Sequence, residues 1–119
     1  MAEQSWARRQ ETLSAIERRL SVCVRLGADG RDLFFGIDER TRYAAHSALI
    51  QLGEAAKDLP EQFRNLHPDV DWRPMIAMRN RASHAYDLID WEIIWTTITK
   101  DAPIALEAVR RILSDEFDA

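Results

Sequence analysis

The segment MRNRASHAYDLID, residues 78–90, concentrates side chains that could bind and cleave a phosphodiester. An arginine there offers a planar positive fork that fits a phosphate. A neutral histidine accepts a proton near neutral pH and returns it when charged, and an asparagine can orient either group. Together they suit attack of an RNA 2′-hydroxyl on its own 3′-phosphate, with the arginine stabilising charge in the transition state. The side chains concerned are Arg79, Asn80, Arg81, His84 and Tyr86.

Helix geometry restricts how these side chains can meet. Asn80 and His84 are four residues apart and share a face of a continuous helix. Arg79 and His84 are five apart, which is about 140° around such a helix, so they would not converge on one target. Either the helix ends near Ser83, or the site draws on more than one chain. Tyr86 then lies just past the helix end, and its hydroxyl is expected to be reachable from solvent.

The single motif histidine of each chain favours a dimer. Chemistry of this kind uses both an acid and a base, and a symmetric dimer would place two copies of His84 and Arg79 in one cleft. We expect the site to need no metal ion and no cofactor. His46, His67 and His84 are scattered, and the chain has no HExxH or CxxC pattern.

A structural explanation of the same residues stays open. Polar residues are common at helix C-termini, where the helix dipole favours cations. For Tyr86, the residues alone favour a half-buried packing role over chemistry. The segment GEAAK, residues 53–57, is expected to be structural because its small residues let another backbone pack closely, with Glu54 as a candidate for orienting a site residue.

Composition limits the class of protein. The chain has 119 residues, of which 46% are hydrophobic and 30% charged, a balance typical of one globular domain spanning residues 1–119. The net charge of −4 argues against coating nucleic acid by bulk charge, but it allows a local basic cleft. The first residues lack the apolar stretch of a signal peptide, no run is long enough to span a membrane, and Cys23 is the only cysteine. A reducing cytoplasm is the expected location.

Apolar spacing predicts an all-α fold, a bundle of four or five helices. The first helix should bury a stripe at helical spacing and end with a C-cap at Gly27. The second helix should run from a cap at Asp38 to about Leu59. The stripe of the first helix consists of Trp6, Leu13, Ile16, Leu20 and Cys23.

Capping residues and prolines predict the rest of the layout. Asp71 is a suitable N-cap for the next helix, and Pro74 is tolerated in its first turn. Asp90 is expected to cap the last helix. Pro103 lies inside that helical pattern and removes a backbone donor, so a kink or break is expected near residues 99–102.

The stretch RNRASHAY resembles the Rx4–6H motif of the HEPN superfamily, in the HxY form of HepT-like toxins. Arg79 matches the motif arginine, Asn80 the polar residue after it, His84 the histidine and Tyr86 the tyrosine. The resemblance extends to GEAAK on the second helix, to FRNLHPDVDWRPMIAMRN before the motif and to IDWEIIW after it. The chain departs from the family at residues 81–83, where arginine, alanine and serine replace mostly apolar residues. That departure could retune the RNA site or abolish activity.

The resemblance implies an all-helical homodimer with a metal-independent endoribonuclease site in the cleft between subunits. A His/Arg site of this kind should leave a 2′,3′-cyclic phosphate. The resemblance also implies a toxin of a type II or type VII-like toxin–antitoxin pair, silenced by a minimal nucleotidyltransferase that transfers AMP to Tyr86. The alternative is a non-catalytic helical dimer that serves as the nucleotide- or substrate-binding subunit of a nucleotidyltransferase. A third possibility is a purely structural dimer.

Overall fold

The computed structural model describes residues 6–82 and 86–117, apart from the side chains of residues 78 and 80–82. A 3-10 turn at Tyr86–Leu88 precedes the helix Trp91–Thr96, and a π-helical turn at Thr97–Asp101 joins that helix to the next, Ala102–Glu116. The described ranges contain no strand, so the predicted all-α class is confirmed. The helices are α1 (Trp6–Ala28), α2 (Arg31–Phe34), α3 (Arg40–Asp58), α4 (Glu61–Asn65), α5 (Trp72–Ala82), α6 (Trp91–Thr96) and α7 (Ala102–Glu116).

Four long helical segments form the bundle, since α2 and α4 are single turns and α6 continues through the π-helical turn into α7. Helix α1 packs against α3 and α7, and α3 packs against α5. Helix α3 is therefore central, because it packs against both α1 and α5. The apolar side of α3 is buried apart from Ala55, which is partly exposed. The buried members are Ala45, Leu49, Leu52, Ala56 and Leu59.

The predicted stripe of α1 is confirmed from Leu13 to Cys23, whereas Trp6 is 54% exposed and lies against Phe117. The predicted C-cap at Gly27 is wrong, because the helix continues to Ala28. Gly27 instead allows a close approach of the π-helical turn. A Cβ atom on Gly27 would lie 3.1 Å from Cγ2 of Thr99. The glycine at position 27 is therefore explained by close tertiary packing, which cannot be read from the local sequence.

The predicted helix starts agree with the structure to within about one residue. The side chain of Asp38 accepts the backbone N–H of Arg40, where α3 begins, at 3.0 Å. Helix α5 begins at Trp72, directly after Asp71. Asp90 is the N-cap of α6 and accepts the backbone N–H groups of Glu92 and Ile93.

The predicted break before Pro103 is confirmed as the π-helical turn at Thr97–Asp101. Proline has no N–H group to donate to the preceding turn, and its ring crowds that turn. The wider π-helical turn accommodates both effects without ending the helix. The hydroxyl of Thr99 also donates to the carbonyl oxygen of Trp95 at 2.7 Å, a bond that competes with the regular helix ladder.

An aromatic cluster packs α2 against α6. The buried ring of Phe34 contacts Trp91 and Trp95, with ring centroids 6.1 and 5.1 Å apart. Arg31 forms a two-pronged ion pair with Glu92, which raises the pKa of Arg31 and lowers that of Glu92. The cluster fixes the position of α6 next to the 3-10 turn. No helix in the described ranges combines the length and the hydropathy needed to cross a membrane.

Candidate functional site

Arg79 is held against α3 by a very close contact between two helices. A Cβ atom on the buried Gly53 would lie 2.4 Å from Cβ of Arg79 and 2.7 Å from the carbonyl oxygen of Met75. Only a glycine permits this approach. Met75, which is 7% exposed, anchors the same face of α5 in the core one turn earlier. The backbone from which the Arg79 side chain extends is therefore firmly placed.

The Arg79 side chain extends into a surface groove beside an acidic partner. Its Nε lies 3.5 Å from Oε1 of Glu54, the residue that follows Gly53. The Arg79 side chain is 35% exposed. The groove has a volume of about 350 Å³ and is lined by Glu54, Lys57, Asp58 and Arg79. A phosphate group in solvent can reach this groove.

Tyr86 lies among aromatic rings from two helices. Its ring is stacked on Tyr43, with centroids 4.6 Å apart and planes inclined by 15°. Trp91 and His46 contact it at 5.1 and 5.8 Å. The hydroxyl is buried, and the described residues supply no hydrogen-bond partner that meets its geometry. The prediction that this hydroxyl is reachable from solvent is therefore wrong, and Tyr86 is the half-buried packing residue of the alternative explanation.

The surroundings of Tyr86 alter its acidity. Burial raises the pKa of the Tyr86 phenol above its ordinary value, and the guanidinium of Arg42 partly opposes that shift. Arg42 is itself held in place, since it donates to the carbonyl oxygens of Phe34 and Gly36. The phenol is consequently harder to ionise in this position than in water.

One face of α3 serves both parts of the motif. Positions 43, 46, 53, 54 and 57 fall on one side of a helix with 3.6 residues per turn. Tyr43 and His46 contact Tyr86, and Gly53 and Glu54 contact Arg79 about 15 Å further along the helix axis. Helix α3 is therefore the common support of the two motif residues that the structure describes.

The remaining motif residues are placed only in part. His84 and Ser83 lie outside the described residues, and so do the side chains of Asn80 and Arg81. The geometry between Arg79 and His84 is therefore still a prediction. The contacts of Tyr43 and His46 with the motif were missed by the sequence reasoning. Their spacing of three on the face that also carries Gly53 is the signal that could have found them.

Comparisons with known proteins agree on one family. The model of the family described as "HepT-like: Ribonuclease HepT-like" matches residues 1–112. A protein of Thermococcus cleftensis named as a probable ribonuclease HepT is 41% identical over 69 residues, which cover 58% of this chain and 63% of that protein. A protein of Methanocaldococcus jannaschii named as a candidate RNase is 36% identical over 78 residues, covering 66% of this chain and 64% of that protein.

A third relative, from Caldanaerobacter subterraneus and also named as a candidate RNase, is 40% identical over 69 residues, 58% of this chain and 62% of that protein. The chain thus spans slightly less than two thirds of the length of these relatives. No solved structure matches it. Since the family model covers residues 1–112 and the fold is all-α, the predicted family is confirmed, and the chain belongs to the HepT-like ribonuclease family.

Proposed function

We propose that this protein is an endoribonuclease that cleaves RNA without a metal ion, and that it is the toxin of a toxin–antitoxin pair. Family membership and the names of the curated relatives support the RNA substrate. The observation that carries the proposal is the position of Arg79, which is fixed at its backbone by Gly53 and presented at a surface groove. A guanidinium that is partly exposed to solvent on a firmly placed backbone is suited to binding an RNA phosphate.

The reaction uses the substrate's own nucleophile. A neutral His84 removes the proton from the RNA 2′-hydroxyl, and the oxygen attacks the adjacent phosphorus. The bond from phosphorus to the 5′-oxygen breaks, and that oxygen takes a proton from a charged histidine. Arg79 stabilises the negative charge on the phosphoryl oxygens in the transition state. The products are a 2′,3′-cyclic phosphate and a 5′-hydroxyl.

A homodimer supplies the second histidine. Each chain has one histidine in the motif, whereas the reaction needs a base and an acid. A symmetric pair would bring two copies of His84 and Arg79 to one cleft. Light scattering should give twice the chain mass at micromolar concentration. A stable monomer that still cleaves RNA would exclude this arrangement.

Control by an antitoxin is proposed at Tyr86. A minimal nucleotidyltransferase would transfer AMP from ATP to the phenol oxygen, releasing pyrophosphate and the phenol proton. The added nucleotide would bring bulk and a negative phosphate to the motif, where they would compete with the RNA. Because the hydroxyl is buried and the ring is packed against Tyr43 and Trp91, the 3-10 turn at Tyr86–Leu88 must open before transfer.

The experiment that tests the proposal is RNA cleavage by the full chain in the presence of a chelator, with analysis of the product ends. Cleavage should persist and give cyclic phosphate ends, and its rate should fall by about 100-fold or more in His84→Ala and Arg79→Ala. Arg111→Ala is the matched arginine control, because Arg111 forms exposed ion pairs on α7. Loss of cleavage in chelator would refute the metal-free mechanism.

Growth distinguishes the toxin from the alternative binding subunit. Expression of the chain alone should arrest growth, and His84→Ala should relieve the arrest. Co-expression with the proposed minimal nucleotidyltransferase should relieve it as well. A chain that neither arrests growth nor cleaves RNA, but still forms a dimer with a nucleotidyltransferase, would favour the non-catalytic subunit instead.

A further inference from the structure

We propose that Glu54 is the positioning residue for Arg79, so that α3 sets the orientation of the phosphate-binding guanidinium. The inference rests on the proposed function, because it assigns Arg79 to the RNA phosphate. It concerns a residue outside the Rx4HxY motif and on a different helix. The observation behind it is the ion pair between Arg79 Nε and Glu54 Oε1, at 3.5 Å.

The two residues of α3 at this point have separate tasks. Gly53 sets where the Arg79 side chain begins, since a Cβ atom there would collide with Arg79 and with the carbonyl oxygen of Met75. An arginine side chain has several rotatable bonds beyond that point and loses considerable entropy when it is held. The carboxylate of Glu54 engages Nε, the nitrogen nearest the chain, and so restricts the direction of the whole guanidinium plane.

Stability does not account for the pair. Both side chains are substantially exposed, Glu54 at 60% and Arg79 at 35%, and exposed ion pairs contribute little to folding. A carboxylate beside a phosphate-binding arginine also repels RNA. The four residues lining the groove, Glu54, Lys57, Asp58 and Arg79, carry two formal charges of each sign, so the groove gains no net attraction for RNA. Orientation of Arg79 is the benefit that Glu54 can provide.

This reasoning predicts opposite effects on binding and on catalysis. In Glu54→Ala, KM should fall because a negative charge near the RNA is removed. The maximal cleavage rate, kcat, should fall by about tenfold to a hundredfold because the guanidinium is no longer held in its productive direction. Glu54→Gln should recover only part of kcat, since it keeps the shape of the side chain but removes the charge that pairs with Arg79. The matched control is Glu107→Ala, which removes an exposed glutamate paired with Arg111 on α7.

A double-mutant cycle decides whether Glu54 acts through Arg79. With Arg79→Ala already present, Glu54→Ala should cause no further loss of single-turnover cleavage. An equal loss in both backgrounds, or a kcat in Glu54→Ala equal to that of the native chain, would overturn the proposal. Thermal unfolding of Glu54→Ala should match that of the Glu107→Ala control.

A measurement independent of activity separates this inference from the proposed function. The Nε–H signal of Arg79 in the NMR spectrum should exchange more rapidly and shift in Glu54→Ala, but not in Glu107→Ala. An unchanged signal would refute the positioning role even if the native chain cleaves RNA. A changed signal in a chain that cleaves no RNA would confirm that Glu54 orients Arg79 and refute only the proposed function.

Discussion

Gly53 on α3 and Arg79 on α5 approach so closely that a Cβ atom on Gly53 would lie 2.4 Å from Cβ of Arg79. The Cβ atom added on Gly53 would also lie 2.7 Å from the carbonyl oxygen of Met75. Neither atom is at the end of a flexible side chain, so α5 could accept a methyl group only by moving as a unit. The position of the proposed phosphate-binding group therefore depends on the absence of a side chain at Gly53 on α3.

Replacing Gly53 by alanine should displace α5 and with it Arg79. We expect Gly53→Ala to lower the free energy of unfolding by about 1–3 kcal/mol, the usual cost of overpacking. RNA cleavage should fall by about 100-fold, because small misplacements of catalytic groups are costly. Urea unfolding and single-turnover cleavage measure the two effects.

Gly27→Ala is the matched control, since Gly27 is also inside a helix. Its added Cβ would meet Cγ2 of Thr99 at 3.1 Å, a side-chain atom that can yield. Alanine also has a higher helix propensity than glycine. Cleavage should therefore be retained in Gly27→Ala. A Gly53→Ala chain as active as this control would contradict the role assigned to the helix contact.

The phenol of Tyr86 should titrate at unusually high pH. The chain has two tyrosines, so Tyr43→Phe leaves Tyr86 as the single phenol while keeping a ring for the stack. Burial raises the pKa of Tyr86, so the absorbance of its phenolate should develop above the ordinary value of about 10. Denaturant should return the midpoint to that value. A midpoint at or below it in the native state would show that the ring is not packed as described.

Transfer of AMP to Tyr86 should be limited by the stacked ring of Tyr43. In Tyr43→Ala the hydroxyl of Tyr86 becomes accessible and its pKa should fall toward the ordinary value, so the proposed transfer should accelerate. Intact mass, followed over time with the proposed minimal nucleotidyltransferase, ATP and magnesium, gives the rate. Tyr43→Phe keeps the stack and should react like the native chain, whereas Tyr86→Phe should gain no mass. An adduct on Tyr43 in the native chain would point to a different acceptor.

Cys23 should make the fold less stable in alkaline solution. Burial raises the pKa of its thiol to about 12, from 9.0 in the unfolded chain. The folded state therefore holds this proton more tightly, and the resulting stability is present below pH 9 and is lost progressively as the pH rises from 9 to 12. The loss attributable to this thiol approaches about 1.4 kcal/mol per pH unit within that window.

Cys23→Ala isolates this contribution from other alkaline titrations. The variant loses packing at all pH values, but its stability should fall less steeply above pH 9 than that of the native chain. A thiol reagent at neutral pH should leave native Cys23 unmodified and react fully after denaturation. Urea unfolding at a series of pH values gives the free energy of unfolding of both chains. If that free energy falls equally steeply with pH above 9 in the two chains, the assigned pKa shift is contradicted.

Local chemistry was sufficient to predict the helical layout. The apolar positions of α1 and α3, the cap at Asp90 and the break before Pro103 depend on periodicity, on side-chain acceptors and on a missing N–H group, all of which operate within a few residues. The family was also predictable, because the motif and its flanking segments are read directly from the sequence.

Long-range packing determined what the sequence reasoning missed. Gly27 resembles a helix end in the sequence, but it lies inside α1 because another part of the chain packs against it. Tyr86 was expected to expose its hydroxyl because it follows a helix end, yet the hydroxyl is buried and the ring packs against Tyr43 and His46, at least forty positions away in the sequence. Similarly, the sequence places Glu54 and Arg79 25 residues apart, and only the close crossing of α3 and α5 makes them an ion pair. Helix packing decides which residues meet around the motif. The contacts that bury the Tyr86 ring and pair with the Arg79 guanidinium come largely from α3, and the position of α3 beside them is set by the packing of the core.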